Sequence, residues 1–322
     1  MWEDCPALKA ELDLFEQSMR QEFHAKKNIE AYLDSLSLRV IGSGGKRLRP
    51  AMLIASAMMG EYDQSKVLQA AKSIELLHTA TLVHDDIIDN AAMRRNTPTV
   101  NATEGVHTAI FAGDYIYVKS ILALAESGLP IDHLREVARA VEAVCVGEVE
   151  QYRGRGSIPG FKTYVSRATR KTGVLFAASC AIGAHLAGLD ETAVKLAGRF
   201  GGYYGIAFQI KDDLLDMLDN PQTIGKPVGN DLKEGVVTLP VVLAAARDPQ
   251  LRERVEELLH SKKAGQRVIR VLMGDIVKAG GAGEAQTVMN KYVSRAKKAL
   301  DKLPETPGRE LLEHILHITY PA

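Results

Sequence analysis

Two short acidic segments carry the chemistry expected of this chain. Asp85-Asp86-Ile87-Ile88-Asp89 and Asp212-Asp213-Leu214-Leu215-Asp216 share the pattern Asp-Asp-x-x-Asp. On a helix the first and last residues of this pattern lie one turn apart, with the second beside them. Asp85 with Asp89, and Asp212 with Asp216, would therefore pair on one face. Each cluster follows an apolar stretch, SIELLHTATLVH before the first and YYGIAFQIK before the second. Like charges crowded at the carboxyl end of a helix repel one another and meet the negative end of its dipole. A bound cation relieves both penalties. Magnesium suits the donors, because it takes oxygen ligands and is commonly held by one or two carboxylates together with phosphate oxygens. A single cluster can be a solvated helix end; two copies on apolar helices point to two sides of a metal–diphosphate site.

The complementary positive charge gathers in a few places. Gly44-Gly45-Lys46-Arg47-Leu48-Arg49-Pro50 is a flexible turn opening a helix, with three cations and free backbone N–H groups that could cradle a diphosphate. Arg94 and Arg95 follow the first acidic cluster, Lys171-Thr172 precedes a charge-free segment, and Lys226 lies beyond the second cluster. Singly, each could be a solvated surface charge. His78 and Gln209 interrupt otherwise apolar helices, His78 about two turns before Asp85. A helical histidine can equally be a satisfied core residue or a phosphate donor.

The elements that must position these groups read as helices throughout. Periodicity and punctuation place them near 7–40, 47–60, 63–84, 105–127, 130–152, 161–188, 190–219, 236–247, 249–260, 264–280, 283–303 and 307–318. No run of alternating residues argues for strands. Short loops between helices favour one all-α bundle, a single domain over residues 1–322, rather than two domains. Thr172 to Leu189 is a run of 18 residues without Lys, Arg, Asp or Glu, long enough for a membrane span. Its many Ala, Gly and Ser residues read instead as a buried core helix. Lys+Arg and Asp+Glu number 40 each, so nothing in the balance suggests nucleic acid as a partner. The three cysteines, Cys5, Cys145 and Cys180, form no CxxC pair, which suits a reducing cytoplasm without disulfides or zinc. The N-terminal residues show no signal-peptide pattern.

GGKRLRP, IELLHTATLVHDDIIDNAAMRR, GDYIY, KTG, FQIKDDLLD and GKPVGNDLKEGVVTLP follow one another in this order. Over roughly residues 40–245 the chain thereby resembles the trans-polyprenyl diphosphate synthases. The resemblance implies one bundle of mainly antiparallel helices around a deep central cavity. It implies that Asp85, Asp86, Asp89, Asp212, Asp213 and Asp216 hold magnesium, three ions with the allylic diphosphate bound. Arg94, Lys171, Gln209 and Lys226 match contacts to the allylic diphosphate. Lys46, Arg49, His78 and Arg95 match the isopentenyl diphosphate pocket. Thr172 matches a residue close to the reacting carbons, and Phe208 an aromatic beside the isopentenyl group. Two departures stand out: the family often has Gly at Asn96, and Lys or Asn at Val236.

The implied reaction adds isopentenyl diphosphate to an allylic diphosphate in the trans sense. Small residues at Ala80 and Thr81, just before the first cluster, would leave a tunnel open for the growing tail. Leu77, Ile116 and Tyr117 are candidates for its floor. An open tunnel implies a long all-trans product, about C30 to C40, of the kind used in quinone side chains. The alternatives are a shorter-chain geranylgeranyl or farnesyl diphosphate synthase and the catalytic subunit of a heteromeric synthase. A homodimer is expected, or a heterodimer with a small subunit. A terpene cyclase would not need the second diphosphate pocket, and a silent subunit would have lost the aspartates.

Overall fold

The computed structural model describes residues 2–24, 27–217, 228–261 and 265–321. Helices α1 Pro6–Gln21, α2 Asn28–Gly42, α3 Leu48–Ala57 and α4 Gln64–Ile88 come first. A two-residue hairpin follows, β1 Met93–Arg94 and β2 Thr97–Pro98, then α5 Val100–Glu104, α6 Val106–Glu126 and α7 Ile131–Arg153. Helix α8, Phe161–Ala168, runs through a wide π-helical turn at Thr169–Gly173 into α9, Val174–Leu186, and α10 is Glu191–Asp216. The remainder is α11 Asn230–Lys233, α12 Leu239–Arg247, α13 Pro249–His260, α14 Gln266–Lys278, α15 Gly281–Leu300 and α16 Pro307–Thr319. The chain is all-α, as the periodicity predicts.

Three details differ from the sequence reading. The helix expected over 7–40 is two helices, α1 and α2. Asn28 opens the second with a left-handed φ of 69°, which Asn tolerates better than most residues. The hairpin and α5 fill a stretch with no predicted element, because two-residue strands are too short to alternate. The helix predicted from 236 starts at Leu239.

The described residues form two compact units, each assembled from separate segments. The first comprises Met1–Glu136, Ser179–Ala197 and Lys302–Ala322; the second comprises Val137–Ala178 and Gly198–Asp301. In the first unit α3 is buried along nearly its whole length, with Ala51 to Ala55 fully enclosed. Helix α4 is buried on most sides, and α6 packs along it with Ala109, Ala112, Ile116 and Ala123 inward. The later half of α9 crosses α3 at Gly183, where any side chain would strike the Leu53 carbonyl. Phe176, Cys180 and Ala184 on α9 are completely buried, so the charge-free segment is a core helix. Among the described residues, α6 alone is long and apolar enough to cross a membrane, with a mean hydropathy of 1.3. In the second unit Val241, Val255, Ile269 and Ile276 centre a core built from α12, α13 and α14.

Candidate active site

The first acidic cluster sits where α4 stops. Asp89 is the C-cap, its φ of −90° and ψ of 0° leaving the helix, and its N–H donates to the Asp85 carbonyl at 2.9 Å. Asp89 is exposed and Asp85 partly so. Asp86 lies about 100° round the helix, only 5% exposed, and accepts a hydrogen bond from Arg94 Nε at 2.7 Å. The hairpin that delivers Arg94 pairs it with Thr97 and turns through Arg95 and Asn96, at φ 50° and 61°. Two left-handed residues in succession make the tight turn whose twist matches paired strands, usually Asn-Gly. Asn96 satisfies the second position, so its departure from the commoner Gly costs little.

Arg95 reaches back to the glycine turn before α3, its Nη1 donating to the Gly44 carbonyl. A Cβ on Gly45 would lie 2.7 Å from the same nitrogen, and its φ of 150° is one that residues with side chains rarely adopt, so both favour glycine here. His78 is largely buried. Burial first, then Arg49, Arg95, Arg94 and Arg47, push its pKa well below the usual imidazole value. It is therefore neutral near pH 7 and free to donate one hydrogen bond. Since the native pKa is the lower one, the unfolded chain binds the extra proton and stability falls as the pH drops below about 6.5. The loss is at most about 1.4 kcal/mol per pH unit. Urea unfolding at pH 7.5 and 5.5 should show a larger loss for the wild type than for His78→Gln; equal losses would contradict this environment.

Arg47, expected to face a ligand, turns inward instead. Its guanidinium bonds Glu16 Oε1 at 2.5 Å, Glu75 Oε1 at 2.7 Å and the Ile41 carbonyl at 2.8 Å. Burial lowers its pKa, but the two carboxylates more than offset this. Arg49, His78, Arg94 and Arg95 are thus brought together near the end of α4, while Lys46 lies exposed on the turn.

The second cluster repeats the division of labour seen in the first. Asp212 is exposed and Asp216 half-buried, whereas Asp213 is 3% exposed. Asp213 Oδ2 accepts from Tyr164 Oη at 2.6 Å and from the Leu239 N–H at 2.9 Å, and Oδ1 accepts from Gln209 Nε2 at 3.1 Å. It caps α12 from a distance. Burial raises its pKa, opposed by these three hydrogen bonds. Burial and Asp213 push the Tyr164 phenol well above its usual range, so it stays a donor. Gln209 also accepts from Thr172 Oγ1 at 2.7 Å, tying the π-helical turn to α10. Such wide turns are frequent at functional sites. Lys171, in the same turn, pairs with Glu148 on α7 at 2.8 Å. Phe208 joins Phe176 and Tyr204 in an aromatic cluster, its ring 5.7 Å from Phe176.

Two of the expected metal ligands have protein partners in this structure. Asp86 and Asp213 were expected among the metal ligands, yet both are buried and bonded to protein donors. The reason is geometric: the outer aspartates share one face, and the middle one points about a quarter-turn away. Among the described residues no three His, Cys, Asp or Glu side chains converge as a ready-made metal cage. The outer pair of each cluster, Asp85 with Asp89 and Asp212 with the half-buried Asp216, still fits a hard divalent ion whose remaining positions go to phosphate oxygens and water. Lys226 lies outside the described residues. Leu77 and Ala80 are buried on α4, Thr81 and Tyr117 partly so. Glu16, Glu75, Glu148 and Tyr164 escaped the sequence reading. Glu75 alone gave a signal, a carboxylate inside an apolar run, one turn before His78.

An all-helical chain with paired acidic helix ends and a cluster of cations is suited to handling diphosphates with a divalent ion. Comparison with known proteins specifies the family. The polyprenyl synthetase family pattern matches residues 30–276. The component 2 of the heptaprenyl diphosphate synthase of Bacillus subtilis is 34% identical over 96% of this chain and 87% of its own length. A nonaprenyl diphosphate synthase of Mycobacterium tuberculosis is 32% identical over 97% and 92%. A geranylgeranyl pyrophosphate synthase of Geoglobus acetivorans is 36% identical over 84% of each. Among solved structures, heptaprenyl diphosphate synthase from Staphylococcus aureus superposes with a TM-score of 0.90 at 30% identity, covering 96% of both chains. A polyprenyl synthase from Caulobacter crescentus, complexed with calcium and isoprenyl diphosphate, gives 0.88 at 29% identity over 96% and 93%. The chain belongs to the polyprenyl synthetase family. It is a trans-prenyltransferase that joins isopentenyl diphosphate to an allylic diphosphate. The family uses a divalent metal ion in binding diphosphate.

Proposed function

We propose that this enzyme makes a long all-trans polyprenyl diphosphate, about C30 to C40, for quinone side chains, with magnesium as the metal. Asp85, Asp89, Asp212 and Asp216 would hold the ions, three in all when the allylic diphosphate is bound. When bound, the metal supplies Lewis-acid neutralisation of the diphosphate. Arg94, Lys171, Gln209 and Lys226 add positive charge and hydrogen bonds to the allylic leaving group. Ionisation breaks its C–O bond, leaving an allylic cation and pyrophosphate. Lys46, Arg49, His78 and Arg95 hold isopentenyl diphosphate so that its double bond attacks that cation; the proton then lost goes to a pyrophosphate oxygen. Thr172 and Phe208 flank the reacting carbons. Apolar walls keep water from the cation. What carries this reading is the carboxylate pair at the end of each apolar helix, with Arg49, Arg94, Arg95 and a neutral histidine near the first.

The exposed face of α6 supports assembly with another chain. Val106, Phe111, Val118, Ile121 and Leu122 are each about half exposed there, more apolar surface in one row than a solitary helix face usually carries. A homodimer working in the cytoplasm is the reading adopted. The component 2 relatives favour a second, in which this chain is the catalytic subunit beside a small partner.

One assay tests both. The purified chain is incubated with magnesium, labelled isopentenyl diphosphate and farnesyl diphosphate, and the products are sized. Chains near C35 are expected. Products ending at C15 to C20 would overturn the long-chain reading. Activity appearing only with an added small subunit would select the heteromer, with light scattering reporting the assembly.

A further inference from the structure

We propose that Arg47 is a positioning residue for isopentenyl diphosphate, acting through Lys46 and Arg49 on either side of it, a role that rests on the pocket proposed above. Its sequence neighbours suggest a third ligand-facing cation, but its side chain is only 9% exposed and its guanidinium is committed to two carboxylates and a backbone carbonyl. It reaches three elements at once: α1 through Glu16, the end of α2 through the Ile41 carbonyl, and α4 through Glu75. Glu75 lies one turn before His78, so the same helix face that carries the pocket histidine also anchors the turn. The backbone at Arg47 is left-handed, with φ 48° and ψ 37°. A residue with a side chain rarely adopts this conformation unless its surroundings impose it. The fork of charged hydrogen bonds is what imposes it here.

The geometry has a direct consequence for its neighbours. A left-handed residue between Lys46 and the first turn of α3 sets where the chain enters the helix. It therefore sets where Lys46 leaves the turn and where Arg49 enters α3. Arg95 holds the same turn from its other side, through the Gly44 carbonyl and the space left by Gly45. The turn is clamped between two arginines of opposite duty. Arg95 borders the pocket, while Arg47 lies behind it. Glu16 bonds Arg47 directly, whereas Glu75 bonds Arg47 and also acts electrostatically on Arg95, so Glu16 is the cleaner test of the clamp.

The test uses Arg47→Lys and Glu16→Gln in the full chain. Lysine keeps the charge but loses the fork. Glu16→Gln removes one tether and keeps the buried Arg47–Glu75 pair, so it folds even where a change at Arg47 does not. Both should raise the KM for isopentenyl diphosphate by about tenfold or more, since a shift of about an ångström suffices for that. The KM for the allylic diphosphate and kcat should stay within about twofold, the signature of lost ground-state binding at one substrate. Equal changes in both KM values, or none with thermal stability lowered, would overturn the role and leave Arg47 a fold residue. Arg49→Ala serves as the reference. If it too leaves the isopentenyl KM unmoved, the pocket assignment fails; if it raises that KM while the Arg47 and Glu16 variants do not, only the clamp fails.

Discussion

Asp85→Ala and Asp212→Ala should each lower turnover by about 10³-fold while leaving thermal stability nearly unchanged. The size follows from what a divalent ion contributes to stabilising a departing pyrophosphate, several kcal/mol of charge neutralisation. The stability follows from exposure. Asp212 is exposed and Asp85 partly so, and surface substitutions usually fall within about 0.5 kcal/mol. Removing one of several crowded like charges can even help. Asp213→Ala, one residue away, should behave in the opposite sense. It strands the Tyr164 hydroxyl, the Leu239 N–H and the Gln209 amide inside the protein, at a cost of about 3–5 kcal/mol. Steady-state rates and calorimetry on the three proteins separate the two roles. If Asp212→Ala keeps its turnover, the carboxylate pair holds no catalytic metal.

Ala80→Phe should shorten the product, from about C35 to C20 or less, with the enzyme still turning over. Ala80 is 2% exposed, on α4 one to two turns before Asp85. Two environments explain a buried alanine there. Beside a tunnel, the phenyl ring fills space meant for the tail and ends elongation early. Inside packed protein, the ring overfills the core and costs about 1–3 kcal/mol with no effect on chain length. Product sizing together with a melting curve decides between them. Unaltered products from a destabilised enzyme would remove Ala80 from the tunnel. Thr81 is the less informative site, because its hydroxyl already donates to the His78 carbonyl at 2.7 Å and its loss would disturb the helix as well.

Much of this molecule is legible in its sequence because helical periodicity is strong and the breaks are marked by Gly and Pro. Helices α7, α13 and α16 fall within a residue or two of their expected bounds. The hairpin at 93–98 was not legible, since its turn uses Arg-Asn where Asn-Gly is the usual signal. The acidic clusters are legible as motifs, but a motif does not say which way each carboxylate points. That is decided by partners far along the chain, Arg94 for Asp86 and Tyr164 with Leu239 for Asp213. The same holds for Arg47, whose neighbours Lys46 and Arg49 made it look like a third ligand-facing cation. Charge type can be read from one residue; burial of that charge requires knowing Glu16 and Glu75, 31 and 28 positions away.

The five-residue wide turn at Thr169–Gly173 also bears on how this chain can vary. It holds one residue more than an ordinary helical turn would, so the periodic positions after it are offset by one residue, about 100° on a helical wheel, from those before it. Tyr164 and Phe176 therefore belong to stripes that no single helical wheel superimposes. Losing one residue here would return the turn to a regular helix while the segments on either side keep facing as they do, so a one-residue deletion should be tolerated better at this point than within a regular turn.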